Sequence, residues 1–165
     1  MISYDHDQVS SDLMTRLLEL IVLSWKPDAL ARIDANAELR ASHLVVCAMV
    51  GEFVAGFITV APGTAASPDK DTSDIDALWI GDIVVAPKCR QRGIAAHLMD
   101  LSRRYCVVQG AQWVYLCTDN SYMKQRLFRD GWEYVRKTCA VGDDGAVIIG
   151  AEFEVFRYGL QAPAN

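Results

Sequence analysis

Several features that assign chains to common classes are missing from this 165-residue sequence. No uninterrupted apolar run reaches the roughly 18 to 20 residues that a membrane-spanning helix needs. The five cysteines are odd in number and contain no Cys-x-x-Cys pair, which argues against a disulfide framework and a zinc site. A basic excess is also missing, since the net charge is −5. We therefore expect no nucleic-acid partner, no membrane partner and no metal.

The composition is that of a folded globular protein, with 52% hydrophobic and 22% charged residues. The length matches one ordinary domain and no linker or internal repeat interrupts it, so we expect a single domain over residues 1–165. The start of the chain, MISYDHDQVSSD, is acidic and lacks the basic-then-apolar pattern of a secretion signal. We expect a cytoplasmic protein with reduced thiols.

The segment from Leu78 to Gln109 is the most informative part of the sequence. It predicts a buried strand over 77–86, a basic turn, and an amphipathic helix that begins directly after Gly93. The first turn of a helix has main-chain N–H groups without intrahelical partners and the positive end of the helix dipole, so it attracts anions. Gly93, Ala95 and Ala96 are small, which lets those N–H groups approach a bulky ligand.

Basic side chains add positive charge around this turn, at Lys88, Arg90 and Arg92. Arginine suits phosphate oxygens, and together with the helix start these residues predict a site for a diphosphate. A solvated basic turn before a core helix is the alternative interpretation of the same residues. A dinucleotide-binding turn is a poorer match because it needs additional glycines, and no Gly-Lys-Ser or Gly-Lys-Thr of a P-loop occurs in the chain.

The turn also carries a family signature. It resembles the Arg/Gln-x-x-Gly-x-Gly/Ala signature of the GNAT superfamily, the acyl-CoA-dependent N-acyltransferases, in the segment Arg90-Gln91-Arg92-Gly93-Ile94-Ala95. In that family the loop holds the pyrophosphate of coenzyme A, follows a strand that ends near a proline, and leads into a helix. The resemblance implies an α/β (α+β) fold with a mixed, mostly antiparallel central sheet of about six to seven strands, a V-shaped splay and about four flanking helices.

The resemblance further implies the contacts of acetyl-CoA, the expected co-substrate. The strand before the turn pairs its main chain with the pantetheine arm, as an added strand would, and an asparagine later in the chain contacts the cofactor. Carried over to this sequence, the implied cofactor-binding residues are Ile83, Val84, Val85, Arg90, Gln91, Arg92, Gly93, Ile94, Ala95, Ala96 and Asn120.

Asp82 and Tyr122 are the candidate catalytic residues. In the family an acid on this strand often activates the acceptor amine or binds a cationic acceptor, and Asp82 interrupts an otherwise apolar strand. An orienting hydrogen bond to the main chain at a strand bulge is the structural alternative for Asp82. The family tyrosine that protonates the leaving thiolate is replaced by Leu127, so Tyr122 is the substitute acid or else a surface residue. Trp79 occupies another usual base position, where it cannot carry a proton.

The remaining pattern predicts the elements around this centre. They are a helix from Ser10 or Ser11 with Leu13, Leu17, Leu20 and Ile21 inward, a second helix from Pro27 to near Arg40, a hairpin of 43–50 and 53–61, a strand over 113–118, a short helix from 119–121 to 130, and a hairpin of 133–140 and 146–158. The helix after Gly93 is expected to direct inward Ile94, Leu98, Leu101, Tyr105 and Val108.

Together these residues predict an N-acetyltransferase that transfers an acetyl group from acetyl-CoA to a primary amine by direct attack in a ternary complex. The acids of the chain favour a small cationic acceptor, while a protein amine stays open as the acceptor and a homodimer as the assembly. The alternative is a catalytically inactive CoA-binding module with a regulatory or assembly role, which the replaced tyrosine at Leu127 motivates.

Overall fold

A computed structural model describes residues 2–5, 9–24, 42–63, 68, 77–141 and 147–160. The predicted second helix, from Pro27 to near Arg40, lies outside these residues. Hydrogen-bonded strands follow the order β1-β2-β3-β4-β5-β7-β6. The described elements in chain order are β1 (Ile2–Asp5), α1 (Ser11–Ser24), β2 (Leu44–Val50), β3 (Phe53–Pro62), β4 (Leu78–Val85), α2 (Ile94–Val108), β5 (Trp113–Thr118), α3 (Ser121–Arg129), β6 (Glu133–Val141) and β7 (Val147–Gly159).

The expected fold class is confirmed. The sheet is mixed: in the part of the chain that the structure describes, β4 and β5 pair in parallel, and antiparallel pairs lie on both sides of them. Its seven strands lie within the predicted range, while the described residues contain three α-helices instead of about four. No helix in this part of the chain is both long and apolar enough to cross a membrane.

The chain divides into two compact units, of which the first comprises Met1–Ala61 and Gly81–Arg104. Within it, β2 and β3 form the predicted hairpin, in which Val50 pairs with Phe53 across a two-residue turn. Gly51 has a φ of +60°, a conformation that glycine adopts without strain. The short strand β1 pairs with β2 and was not predicted, because four residues are too few to show a periodicity.

The second unit comprises Pro62–Ile80 and Tyr105–Asn165. Its parallel ladder joins β4 to β5, from Leu78↔Val114 to Ile80↔Leu116. Parallel neighbours need a crossover, and α2 supplies it, as predicted. The strand β7 then pairs antiparallel with β5 on one side and with β6 on the other, which confirms the final hairpin.

The first helix, α1, begins and packs as its sequence predicts. Ser10 accepts a hydrogen bond from the Leu13 N–H at 3.2 Å, which satisfies one N–H of the first turn. The apolar positions that recur at helical spacing are all buried: Leu13, Leu17, Leu20 and Ile21.

The second helix, α2, is bounded by two glycines in the left-handed region, Gly93 with φ +77° and Gly110 with φ +76°. Its buried row is Leu98, Ser102 and Cys106, each four residues from the next. The prediction that Val108 faces inward is wrong, since that side chain is 80% exposed. Two residues beyond Cys106 correspond to more than half a turn, so Val108 lies on the opposite side of the helix.

A pair of leucine substitutions in α1 tests whether burial of its inner face stabilises the fold. Leu17 is fully buried and Leu23 is 72% exposed. We expect Leu17→Ala to lower the unfolding free energy by about 2 to 5 kcal/mol because it removes apolar contacts and leaves a cavity. Leu23→Ala, the matched control, should change it by less than about 0.5 kcal/mol. Urea titration measures both values, and equal effects would contradict the burial of this face.

Candidate active site

The loop between β4 and α2 is anchored by a single turn of 3-10 helix over Pro87–Cys89. Pro87 begins this turn, and the Cys89 N–H closes it by donating to the Ala86 carbonyl at 2.7 Å. The Cys89 side chain is buried at 9% exposure. An anchored turn fixes the direction in which the following residues leave the sheet, so the buried Cys89 helps to position the loop.

Two residues of the loop lie in the left-handed backbone region, Gln91 with φ +61° and Gly93 with φ +77°. Glycine adopts this region freely, and the sequence predicts its role. Gln91 is a different case, because a residue with a Cβ is uncommon there, and such strain gathers at functional sites. Only the folded structure places Gln91 in this conformation.

The start of α2 presents main-chain donors. The Gly93 carbonyl accepts the first helical hydrogen bond, from the His97 N–H at 3.1 Å. The N–H groups of Ile94, Ala95 and Ala96 therefore belong to the first turn and have no helical acceptor. A Cβ built on Gly93 meets no atom within 4 Å, so the space in front of these donors is open. We call residues 93–96 the helix-start site. Its donors, small side chains and open approach fit a diphosphate.

The basic side chains next to the helix-start site have partners of their own. The Nε of Arg90 donates to the Val85 carbonyl at 3.1 Å, which ties the loop to the end of β4. Lys88 holds its ammonium 3.9 Å from the centroid of the Phe53 ring, a cation–π contact. Arg92 is exposed. Since Nε of Arg90 is engaged, its terminal nitrogens are the groups available to an anion.

The main chain of β4 divides its polar groups between two edges. Ala86 donates to the Ala55 carbonyl on β3 at 2.9 Å, and the Asp82 N–H also points at β3. Alternate residues of a strand direct their N–H and C=O groups to opposite sides. Ile83 and Val85 therefore direct theirs away from β3, toward the edge where an extended ligand can pair.

Val84 is placed differently from its two neighbours. Its carbonyl oxygen lies 2.7 Å from a Cβ built on Gly56 of β3, so it faces β3 and needs a glycine there. This close approach accounts for the glycine inside β3. Gly56 also pairs with Ala48, next to which the β2–β3 register shifts, and glycine is common at such irregularities.

Asp82 is a buried carboxylate in the middle of this strand. Its exposure is 7%, and its Oδ2 has no hydrogen-bond partner among the described residues. Burial removes water from the charged form and raises the pKa of Asp82 from 3.8 to about 6. A group that changes charge near neutral pH and has an uncommitted oxygen is suited to general base work or to binding a cation.

The second unit contains the other two predicted site residues. Asn120 caps α3, because its Oδ1 accepts from the Tyr122 and Met123 N–H groups at 3.0 and 3.1 Å. That leaves its amide NH₂ for any ligand. Tyr122 follows in the first turn and is 70% exposed. The roles of both residues stay predictions.

Two other positions in the second unit are filled by core residues. Leu127, which replaces the family tyrosine, is 1% exposed. Trp79 is fully buried and stacks on Tyr115 with the ring centroids 5.3 Å apart. Neither side chain carries a proton that chemistry near neutral pH could use.

The first unit thus brings together most of the predicted site: Asp82, Ile83, Val84, Val85, Arg90, Gln91, Arg92, Gly93, Ile94, Ala95 and Ala96. Sequence reasoning missed Thr59, whose hydroxyl accepts the Asp82 N–H at 2.9 Å. The available signal was one polar residue inside the apolar run FVAGFITVA. Across the described ranges, no group of three or more His, Cys, Asp or Glu side chains is arranged to hold a metal ion.

The raised pKa of Asp82 predicts how stability depends on pH. Between its ordinary value of 3.8 and its folded value of about 6, the folded state binds the proton and the unfolded state releases it. The unfolding free energy should therefore fall as pH rises through this window, by up to about 3 kcal/mol. In Asp82→Asn, which has the same shape and no charge, this fall should disappear. Urea titrations from pH 4 to 7.5 measure it, and the same pH dependence in both proteins would contradict the burial of the carboxyl.

Comparisons with known proteins place this geometry in a family. The model of the acetyltransferase (GNAT) family matches residues 11–132. A search of curated protein sequences found no match.

Solved structures share the fold at low sequence identity. An aminoglycoside 6'-N-acetyltransferase complexed with coenzyme A is 14% identical with a TM-score of 0.66, over 100% of both chains. The ribosomal-protein-S18-alanine N-acetyltransferase of Escherichia coli is 10% identical with a TM-score of 0.64, over 99% of this chain and 96% of that one. Escherichia coli ElaA is 12% identical with a TM-score of 0.70, over 94% of this chain and 96% of that one. The family match spans most of the chain and includes the β4–α2 turn, and the protein therefore belongs to the GNAT family of acetyltransferases.

Proposed function

We propose that the protein is an N-acetyltransferase that moves the acetyl group of acetyl-CoA to a primary amine by direct attack in a ternary complex, with a small cationic molecule as the acceptor. Family membership supports acyl transfer. The observation that carries the choice of acceptor is Asp82, whose Oδ2 is buried without a partner among the described residues. A buried carboxylate in this state is satisfied best by a group that is both a cation and a hydrogen-bond donor.

Asp82 has two tasks in this proposal. An amine that arrives as an ammonium has no free electron pair and must lose a proton before it attacks a carbonyl carbon. With its pKa raised to about 6, Asp82 is ionised at neutral pH and attracts the ammonium. It is also a better proton acceptor than an ordinary aspartate, because a higher pKa means a stronger base.

The remaining residues hold the donor and polarise it. Acetyl-CoA supplies the acetyl group as a thioester when it is bound: the C–N bond to the amine forms, the C–S bond breaks, and CoA leaves as a thiolate that takes up a proton. The helix-start site binds its diphosphate through main-chain N–H groups, and the edge of β4 that contains Ile83 and Val85 pairs with its extended arm. The Val85 N–H, directed away from β3, is the donor we assign to the thioester carbonyl oxygen.

The negative charge of the protein and of Asp82 indicates which kind of acceptor to expect. Two of the similar structures are enzymes named for different acceptors, an aminoglycoside and the alanine of a ribosomal protein. The net charge of −5 and the buried Asp82 favour the first kind, a polycationic small molecule. Polyamines and aminoglycosides are the compounds to test first.

A second candidate is a CoA-binding module without catalysis. It is favoured by Leu127 and Trp79, buried apolar side chains at the positions where the family commonly has its acid and one of its bases. The two candidates differ in turnover: the module binds CoA tightly and releases no thiol with any amine.

The activity of Asp82→Asn tests the enzyme proposal. Thiol release from acetyl-CoA is measured with polyamines, aminoglycosides and N-terminal peptides as acceptors. We expect turnover with a cationic amine and a fall of kcat/KM by about 10²- to 10⁴-fold in Asp82→Asn, because its amide accepts no proton. Asp100→Asn is the control, since Asp100 lies on α2 and pairs with Arg104 at 2.9 Å. It should keep full activity. Tight CoA binding with no turnover on any amine would support the inactive module instead.

Two glycine substitutions test the helix-start site. Gly93 and Gly110 have nearly the same φ, +77° and +76°, and a Cβ at either meets nothing within 4 Å. Leucine at either position should therefore cost a similar strain of about 1 to 2 kcal/mol. Only Gly93→Leu fills the space in front of the α2 donors, and we expect it to weaken CoA binding at least about tenfold. Calorimetric titration with CoA measures both variants. Equal affinity of Gly93→Leu and Gly110→Leu would contradict the site.

A further inference from the structure

The hydrogen bond that holds Asp82 is unusual for a strand residue. Neighbouring antiparallel strands normally join main-chain N–H to main-chain carbonyl, as Ala86 does with Ala55 at 2.9 Å. At Asp82 the N–H instead donates to the side-chain hydroxyl of Thr59 on β3, at 2.9 Å. Thr59 is 3% exposed, so water does not compete for this bond.

The residue before Asp82 leaves room for that hydroxyl. A Cβ built on Gly81 would lie 2.6 Å from the Thr59 Oγ1, closer than real Cβ contacts come. Threonine has few rotamers, so the hydroxyl would have to leave its place. Gly81 is not among the residues with positive φ, and its backbone would accept an alanine. Glycine is therefore needed at position 81 because any side chain there would take the space of the Thr59 hydroxyl.

We propose that Thr59 is the positioning residue for Asp82 and that Gly81 is the glycine that makes this contact possible. The inference rests on the proposed role of Asp82 in acetyl transfer. The Thr59 hydroxyl fixes the Asp82 N–H, and with it the direction in which the Asp82 carboxylate leaves the strand. Among the described residues Oδ2 has no hydrogen-bond partner that would hold the carboxylate, whereas the Asp82 main chain is held by Thr59.

The first test changes the acceptor atom and keeps the shape. Thr59→Val removes the hydroxyl, and Thr59→Ser keeps it. We expect kcat to fall about 10- to 100-fold in Thr59→Val with the KM for acetyl-CoA nearly unchanged, because a misplaced base slows the chemical step. Thr59→Ser should restore most of kcat. The matched control is Thr15→Val on α1, where an exposed hydroxyl donates to the Ser11 carbonyl at 3.0 Å. It should keep wild-type kcat.

The second test approaches the same bond from Gly81. Gly81→Ala should lower kcat in the wild-type background because its methyl displaces the Thr59 hydroxyl. In a Thr59→Ala background the hydroxyl is already gone, and Gly81→Ala should then change kcat by less than about twofold. Independent additive effects would overturn the proposal, as would a Thr59→Ser variant as slow as Thr59→Val.

A measurement without turnover separates this inference from the proposed function. Amide hydrogen exchange at Asp82 reports the bond directly, since its N–H is the donor. Exchange should speed up at least about tenfold in Thr59→Val and Gly81→Ala, and stay slow in Thr59→Ser and Thr15→Val. If Asp82→Asn remains active while exchange follows this pattern, Thr59 still positions Asp82 and the base role is wrong. Unchanged exchange in Thr59→Val overturns the positioning role. Circular dichroism checks that each variant is folded.

Discussion

The start of α2 is the constraint on which the rest of the site depends. A helix cannot satisfy the N–H groups of its first turn internally, and here those groups belong to Ile94, Ala95 and Ala96. Gly93 keeps the space in front of them open. The buried anchor at Cys89 and the Arg90 bond to Val85 hold the loop so that the donors keep a fixed direction from the end of β4. A diphosphate bound there would fix where the rest of the coenzyme A molecule lies along β4.

Glycines on two strands serve the same site by admitting close contacts. Gly56 lets the Val84 carbonyl approach β3, and Gly81 lets the Thr59 hydroxyl reach the Asp82 N–H. Both contacts fix the main chain of β4 on its inner edge. The opposite edge contains the main-chain groups of Ile83 and the Val85 N–H, where an extended ligand can pair, whereas the Val85 carbonyl already accepts from Arg90.

Much of this arrangement could be predicted from the sequence because local rules decide it. Gly93 and Gly110 bound α2, Ser10 caps α1 and Asn120 caps α3, each as its residue type favours. The two-residue turn at Gly51 likewise fixes its hairpin. The family signature then assigns the loop to a ligand, which periodicity alone does not do.

The features that were missed or wrong depend on contacts distant in sequence. Thr59 meets Asp82 only after β3 and β4 align, and no local pattern links residues 23 positions apart. Gln91 has a left-handed backbone with φ +61°, which its residue type disfavours and no local pattern predicts. Hydrophobicity alone predicts that Val108 faces inward, whereas the buried row of α2 consists of Leu98, the polar Ser102 and Cys106.

The central claim is that main-chain N–H groups at the start of α2 bind the diphosphate of coenzyme A. The most direct measurement is the amide spectrum of ¹⁵N-labelled protein titrated with CoA. The account predicts that the largest chemical-shift changes fall on Ile94, Ala95 and Ala96, with downfield proton shifts typical of hydrogen bonds to phosphate. Saturable CoA binding that leaves these three amides unmoved would contradict it.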